Sequence, residues 1–270
     1  MSASALFEGA ADAVVSGELA ALQAMLATEP WLARARSARD HQATLLHYVG
    51  ANGVEQERQR SPANAPAIAR ALLEAGAEPD ARCLCYGSTT TLELLLSSQF
   101  PAEAGVQPDL VHEVCRGGAK PDGPDDDGSP LWTAITWGYT LAAERLVRCG
   151  ARIDNLITAA VVGGLDAVKA CFAPDGTLLF PGVLRGERCF SHGRPFEPRH
   201  LLEYALIYAA HHGRIEVVRW LLTKQPDLSV REPVYGGTAI GMAAHPHPAA
   251  GRPRGSPDVV ALLERAQRNR

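Results

Sequence analysis

The sequence predicts an all-α fold built from stacked antiparallel helix pairs, and three observations lead to this prediction. A helical phrase broken by a central glycine recurs along the 270 residues, most clearly at 67–80, 131–154 and 205–222. Apolar residues make up 46% of the chain and charged residues 21%, which is typical of a folded protein. A lone helix pair cannot bury its apolar stripe, so such pairs must stack on their neighbours to be stable.

The segment 205–222 shows why this phrase predicts two helices joined by a turn. The apolar residues within 215–222 recur at spacings of three and four, which places them on one face of a helix. Gly213 lies between two such helices, where a residue at positive φ ends the first helix and lets the chain reverse. Gly76 and Gly150 are predicted to end second helices in the same way.

The helix openings carry a second recurring motif, with versions at 43–47 (ATLLH), 128–134 (GSPLWTA) and 237–244 (GTAIGMAA). Together with the second-helix halves, these segments resemble ankyrin repeats, whose usual pattern is Gly-x-Thr-Pro-Leu-His-x-Ala-Ala, then Gly, a Val-x-x-Leu-Leu helix and Gly-Ala. Leu45 and Ala239 stand where the family has Pro, and Trp132 stands where it has His. The resemblance implies an all-α, ankyrin-type solenoid with degenerate repeats.

On this resemblance the chain is one solenoid over residues 1–270, divided into about seven repeats. The predicted repeats lie near 4–40, 41–82, 83–124, 125–153, 154–172, 200–231 and 232–270. Residues 173–199 are predicted to form a long inserted loop between the fifth and sixth repeats, because they are rich in Gly and Pro. Residues 54–66 form a shorter polar insertion within the second repeat.

Several polar and sulfur-containing residues are predicted to be structural. The resemblance implies that Thr44 with His47, and likewise Thr238, form hydrogen bonds that fix the turn before a helix. The Cys83-x-Cys85 pair is predicted to lie in a turn, since no second pair completes a four-ligand zinc site. Two further cysteines, Cys149 and Cys171, are predicted to pack in the core.

The resemblance implies a protein–protein interaction module that is not an enzyme. No Gly-x-Ser-x-Gly, P-loop or His-Glu-x-x-His motif occurs in the sequence, so no cofactor or metal is predicted. Trp and Tyr bury a large area at a low entropic cost, which suits them to interfaces. The resemblance places the ends of the first helices along one groove, and the predicted partner-binding residues are Asn52, Trp137, Tyr139, His211, His212 and His245. The 173–200 loop is expected to be a second contact.

Two other functions stay open at the level of sequence. An enzyme or a metal- or ligand-binding protein would use a site under the 173–200 loop, with His192, Glu197 and His200 as its residues. A nucleic-acid-binding protein would use the arginines of that loop and of the C-terminal region, but the net charge of -4 makes it the weaker alternative. Those arginines are Arg185, Arg188, Arg194, Arg199, Arg252 and Arg254.

The expected location is the cytoplasm, and no membrane partner is predicted. The first residues carry Glu8 and Asp12 and no basic segment, which is unlike a secretory signal peptide. Six cysteines are dispersed along the chain, which favours reduced thiols over a disulfide framework. No apolar run approaches the roughly 20 residues that a membrane-spanning helix needs.

Overall fold

The computed structural model describes residues 2–179, 196–245 and 256–269. Its α-helices are α1 (Ala3–Ser16), α2 (Leu19–Thr28), α3 (Leu45–Val49), α4 (Ala65–Glu74), α5 (Thr91–Leu96), α6 (Gln99–Glu103), α7 (Gln107–Arg116), α8 (Ser129–Thr136), α9 (Thr140–Arg148), α10 (Leu156–Thr158), α11 (Gly164–Ala170), α12 (Leu201–His211), α13 (Ile215–Leu222), α14 (Ala239–Ala244) and α15 (Pro257–Arg268). Two short strands, β1 (Arg82–Cys83) and β2 (Thr89–Thr90), pair antiparallel. None of the described helices has both the length and the hydropathy needed to cross a bilayer.

The chain divides into two compact lobes. The N-terminal lobe comprises Met1–Asp126 with Arg148–Gly150, and the C-terminal lobe comprises Asp127–Val147 with Ala151–Arg270. Each predicted repeat contains a helix pair within the described residues, so the all-α prediction is confirmed. That the repeats form one array over residues 1–270 stays a prediction.

Within the N-terminal lobe, first helices pack on first helices and second helices on second helices. Helix α3 contacts α1 and α5, while α4 contacts α2 and α7. Their apolar faces are buried completely at positions such as Leu45, Ile68 and Leu94. Burying a side chain of this size stabilises the fold by about 1.5–3 kcal/mol, so stacking supplies the stability that a lone pair lacks.

The start of α3 has the predicted structural hydrogen bonds. The backbone N–H of Thr44 donates to Nδ1 of His47 over 3.1 Å, and the Thr44 hydroxyl lies 2.8 Å from the same nitrogen. Helix α5 repeats the arrangement, with Thr90 at its N-cap and Glu93 accepting from the Thr90 N–H over 2.8 Å. Thr44 and His47 thus cap α3, as the resemblance implied, and the structure adds Thr90 and Glu93 as a second pair of this kind.

The 54–66 insertion is held against α1 by a polar network. The Glu55 carboxylate accepts a hydrogen bond from the Tyr48 hydroxyl over 2.6 Å and lies 3.2 Å from Nη1 of Arg58. The same guanidinium reaches Glu8 on α1 over 2.7 Å. Since Glu55 is only 8% exposed, its charge is offset inside the lobe by these partners.

In the C-terminal lobe the same stacking recurs. Helix α12 contacts α10 and α14, and α13 contacts α11 and α15. An aromatic cluster lies beside α12: Trp132 meets Phe196 and Tyr208 edge-on, with ring centroids 4.9 and 5.4 Å apart. Trp132 is a core residue of this lobe, because its side chain is 3% exposed.

The predicted chain reversals are found at glycines with positive φ. Gly213, between α12 and α13, has φ of 66°, and Gly76 and Gly150 after second helices have 96° and 109°. A residue with a Cβ is strained in this left-handed region, which explains why glycine stands at each turn.

Candidate functional site

A cavity opens on the C-terminal lobe where the ends of first helices meet a loop. Its volume is about 430 Å³, and most of its lining is apolar. The lining residues are Thr136, Trp137, His211, Tyr235, Gly237, Gly241, Met242 and His245. Three of the predicted partner-binding residues, namely Trp137, His211 and His245, are therefore brought together.

Trp137 is positioned by the end of α8. Its backbone N–H donates to the Thr133 carbonyl over 3.0 Å, and the next residue, Gly138, turns the chain at φ of 75°. The residues of α8 itself are buried, whereas the Trp137 side chain is 37% exposed. The buried helix thus holds a large aromatic side chain at the mouth of the cavity.

Tyr235 is positioned by a loop that wraps a buried carboxylate. Glu232 accepts hydrogen bonds from the backbone N–H groups of Val234, Tyr235 and Gly237, over 2.7, 2.8 and 3.1 Å. The carboxylate is 1% exposed, whereas Tyr235 is 51% exposed. This loop therefore has a fixed shape that presents an aromatic side chain at the cavity.

The loop approaches α14 closely. A Cβ added to Gly237 would lie 2.6 Å from Sδ of Met242, which is closer than side-chain atoms normally come. Glycine at this position lets Met242, 6% exposed, pack under the loop. The flexible thioether of Met242 forms part of the cavity lining, and such side chains adapt to varied apolar partners.

The two histidines of the cavity stand at the ends of successive first helices. His211 is the last residue of α12, and its Nδ1 lies 3.4 Å from the Met242 carbonyl oxygen. His245 follows α14 and is exposed. An imidazole can donate and accept hydrogen bonds, so these residues add polar groups to a mostly apolar lining.

Exposure was expected for Tyr139 and His212, and that expectation is wrong. His212 is completely buried: its ring nitrogens lie 2.8 Å from the Thr140 hydroxyl and 2.8 Å from the Ile135 carbonyl oxygen. Tyr139 is 3% exposed at the start of α9. Both ring nitrogens of His212 have hydrogen-bond partners inside the lobe, and these bonds join the α8–α9 turn to the end of α12. His212 is therefore a structural residue.

Asn52 belongs to the N-terminal lobe and does not line the cavity. Its Nδ2 donates to the Ser97 hydroxyl over 2.7 Å, and its Oδ1 accepts from the Tyr86 hydroxyl over 3.3 Å. The side chain is half-buried and holds the Tyr86 ring near the end of α3.

Sequence reasoning missed Tyr235 and Met242. A signal for Tyr235 was present, because it directly precedes Gly236-Gly237 in the loop before a predicted helix opening. Met242 lies inside the motif at 237–244 and has no distinguishing sequence context, so only the packing identifies it.

The alternative site under the 173–200 loop falls partly outside the described residues. Six of the residues named for the two alternative functions lie outside the described ranges: His192, Arg185, Arg188, Arg194, Arg252 and Arg254. Of the described remainder, Glu197 pairs with Arg199 at 2.5 Å, and His200 lies 3.8 Å from Glu197. Within the ranges that the structure describes, no group of three or more His, Cys, Asp or Glu residues is arranged to hold a metal ion.

Comparisons with known proteins give one family match and a likeness to a solved structure. Residues 206–251 match the family model described as "Ankyrin repeats (many copies)". The ankyrin repeat domain of human ASB11, a crystal structure, aligns with a TM-score of 0.47 and 21% identity over 94% of this chain and 96% of that domain. No curated protein matches the sequence. The matched segment covers the C-terminal half of α12, the whole of α13 and α14, so this part of the C-terminal lobe is similar to ankyrin repeats.

Proposed function

We propose that this chain is a non-enzymatic binding protein that captures a partner protein through the cavity of the C-terminal lobe. Ankyrin repeats are a general protein–protein interaction fold, because their stacked helices present helix ends and loops on a rigid frame. The observation that carries the proposal is the pair of exposed aromatic side chains, Trp137 and Tyr235, at one apolar cavity. The cytoplasmic location expected from the sequence belongs to the same proposal.

The size of the cavity fits a short peptide segment. Sites that bury small ligands or side chains usually measure about 300–1,000 Å³, and the cavity measures about 430 Å³. Trp and Tyr are enriched among the residues that dominate binding energy, since they bury much area and lose little entropy. A partner side chain that enters the cavity would remove Trp137 and Tyr235 from water together.

The chemistry of the lining favours an uncharged segment of the partner. Among the described residues that line the cavity there is no Asp, Glu, Lys or Arg. A charged side chain buried there would lose its hydration without an ion-pair partner, which is costly. The exposed imidazole of His245 can supply a hydrogen bond to the partner's backbone. We therefore propose an apolar or aromatic residue flanked by peptide backbone as the occupant.

The test compares capture by three versions of the full chain. The Trp137→Ala/Tyr235→Ala double variant removes both exposed aromatic side chains from the cavity. Leu141→Ala is the matched control, because Leu141 is a large apolar side chain of the same lobe, 61% exposed, outside the lining. Each version is used to purify binding proteins from the native host, and the binding of each captured protein is then measured with purified components.

We expect wild type and Leu141→Ala to bind the same partner with similar affinity. The double variant should bind it at least about 30-fold more weakly, since each anchor of this type contributes 1 kcal/mol or more. Far-UV circular dichroism checks that all three versions keep their helices. Equal affinity of the double variant and the control would contradict the proposal.

A further inference from the structure

The loop that joins β1 to β2 in the N-terminal lobe exposes two large apolar side chains. This tip loop, residues 84–88, connects Arg82–Cys83 to Thr89–Thr90. Leu84 is 54% exposed and Tyr86 is 73% exposed, and no other large apolar side chain of the described residues is as exposed as Tyr86. Exposed apolar side chains that occur together, unlike scattered ones, mark interaction surfaces.

The tip loop is held in one shape by contacts with its neighbours. The Leu84 backbone N–H donates to the His41 carbonyl over 2.7 Å. The Tyr86 hydroxyl donates to Asn52 over 3.3 Å, and the ring lies against Gly53, where a Cβ would collide with it. Tyr86 has φ of 49°, which is unfavourable for an aromatic residue and persists because these contacts hold it. A loop held in this way loses little entropy when it binds.

The tip loop lies in an uncharged stretch of the sequence. Residues 83–92 contain no Asp, Glu, Lys or Arg. The charged residues that flank this stretch are engaged, since Arg82 pairs with Asp125 and Glu93 accepts a hydrogen bond from the Thr90 N–H. A surface that covers the loop without burying an unpaired charge must therefore be uncharged and mainly apolar.

The cavity of the C-terminal lobe has this chemistry. Its described lining is mostly apolar, carries no Asp, Glu, Lys or Arg, and includes the exposed rings of Trp137 and Tyr235. The occupant proposed for it is an apolar or aromatic residue flanked by peptide backbone. Leu84 meets this description, because its neighbours in the tip loop are uncharged. Its side chain is small enough to enter about 430 Å³ together with the backbone beside it.

We propose that the occupant of the cavity is the tip loop of a second copy of this chain, an inference that rests on the proposed function because it names the partner at the same cavity. Leu84 of one protomer enters the cavity of the other, and Tyr86 packs beside Trp137 and Tyr235. The contact joins two different surfaces, so it extends into rings or open chains instead of ending at a symmetric dimer. Few residues take part, and the association should therefore be weak and concentration-dependent.

The first experiment measures self-association of the purified full chain by sedimentation velocity. A concentration series from about 1 μM to 1 mM covers weak interfaces. Leu84→Glu places a charge on the tip loop and should raise the dissociation constant at least about tenfold, because the cavity offers that charge no partner. Gln23→Glu is the matched control: it adds the same charge at an exposed position of α2 in the same lobe and should associate like wild type.

A mixing experiment identifies the two halves of the contact. The Trp137→Ala/Tyr235→Ala double variant keeps the tip loop, and Leu84→Glu keeps the cavity. Each variant should stay monomeric at concentrations where the wild type associates, whereas their mixture should form a complex of one chain of each. Larger species should be absent, because this complex leaves only an altered tip loop and an altered cavity uncovered.

Far-UV circular dichroism checks that every variant is folded. Leu84→Ser, which removes the apolar side chain without adding a charge, replaces Leu84→Glu if that variant is unfolded. A wild type that stays monomeric over the whole series, or a mixture without the complex, would overturn the proposal. Insertion of the tip loop into the cavity of its own chain would also leave a monomer, and it counts against the proposal in the same way.

The capture experiment with Leu141→Ala as control distinguishes this failure from failure of the proposed function. If the wild type is monomeric and only the double variant loses a protein captured from the host, the cavity binds that protein and the second copy alone is wrong. If the double variant and Leu141→Ala also bind their captured protein equally well, the cavity is not a binding site and both proposals are wrong.

Discussion

The hydroxyl of Tyr208 donates a hydrogen bond over 3.1 Å to Oε2 of Glu232, and both side chains are buried. Burial and the adjacent carboxylate raise the pKa of Tyr208 well above its usual value, so the hydroxyl stays a donor at any physiological pH. This bond ties α12 to the loop that presents Tyr235. The shape of the candidate site thus depends on a carboxylate that does not line it.

The first prediction is that Glu232→Ala destabilises the protein strongly. The change removes the acceptor of the Tyr208 hydroxyl and of three backbone N–H groups, and it leaves the Tyr208 hydroxyl and the Val234 N–H buried without this acceptor. We expect the free energy of unfolding to fall by about 2–4 kcal/mol. Urea unfolding measures it. Glu216→Ala, which removes an exposed carboxylate, should change it by at most about 0.5 kcal/mol, and equal effects would contradict the role assigned to Glu232.

The second prediction separates the structural histidine from the binding tryptophan. His212→Ala breaks the bonds to Thr140 and Ile135 inside the lobe, so we expect a loss of about 2–3 kcal/mol of stability. Trp137→Ala removes a partly exposed side chain and should cost less than about 1 kcal/mol. Thermal unfolding compares the two. A larger loss for Trp137→Ala would mean that Trp137 is mainly part of the core.

The sequence predicted the local features of the fold well, because they depend on neighbouring residues. Gly213 at a chain reversal and Thr44 with His47 at a helix start are set by contacts within a few positions. Glu232 shows the limit of this reasoning, since its partner Tyr208 lies 24 positions away. The periodicity of the sequence predicts the succession of helix pairs. It does not predict which side chains of one repeat contact those of the next.

Contacts between residues far apart in the sequence also explain which predicted site residues line the cavity and which are buried elsewhere. Trp137, His211 and His245 line one cavity because they lie at helix ends, whose positions follow from the repeat pattern; that they bind a partner stays a prediction. His212 was misplaced because adjacent helical residues differ in direction by about 100°, and only the three-dimensional contact with Thr140, 72 positions earlier, shows which of the two faces inward.

The third prediction concerns acid stability. Ion pairs with Arg70 and Arg116, over 2.7 and 2.9 Å, lower the pKa of Glu113 although burial opposes the shift. A group with a lowered folded-state pKa contributes stability above its unfolded pKa, about 4.3, and loses that contribution as the pH falls through its folded pKa.

Glu113→Gln should therefore be less stable than wild type by about 1–3 kcal/mol at pH 7, and the difference should shrink steadily below about pH 4.3. Chemical unfolding at a series of pH values measures this. Glu216→Gln serves as the exposed control and should show little pH-dependent difference. A Glu113→Gln difference that stays constant down to pH 2 would show that the ion pairs do not cause the effect.

The fourth prediction concerns the insertion at 54–66. Glu55 holds Arg58 and Tyr48, and the Arg58 side chain is only 11% exposed because it is bound to Glu8 and Glu55. Glu55→Ala removes the central acceptor and leaves Arg58 with surface partners alone, so the segment should detach from α1 more often. Trypsin cleaves after arginine in locally open segments, and its rate after Arg58 should rise several-fold at a fixed trypsin concentration.

Glu57→Ala is the matched control, because this neighbouring carboxylate is 67% exposed and its nearest cation, on Arg39, is 3.7 Å away. Cleavage after Arg58 should remain at the wild-type rate in this variant, since a solvent-exposed ion pair contributes little. If both variants are cleaved at the wild-type rate, the network does not hold the insertion. If both variants are cleaved faster, the exposed Glu57 carboxylate holds the insertion as much as the buried Glu55 carboxylate does. Glu55 would then not be the centre of the network.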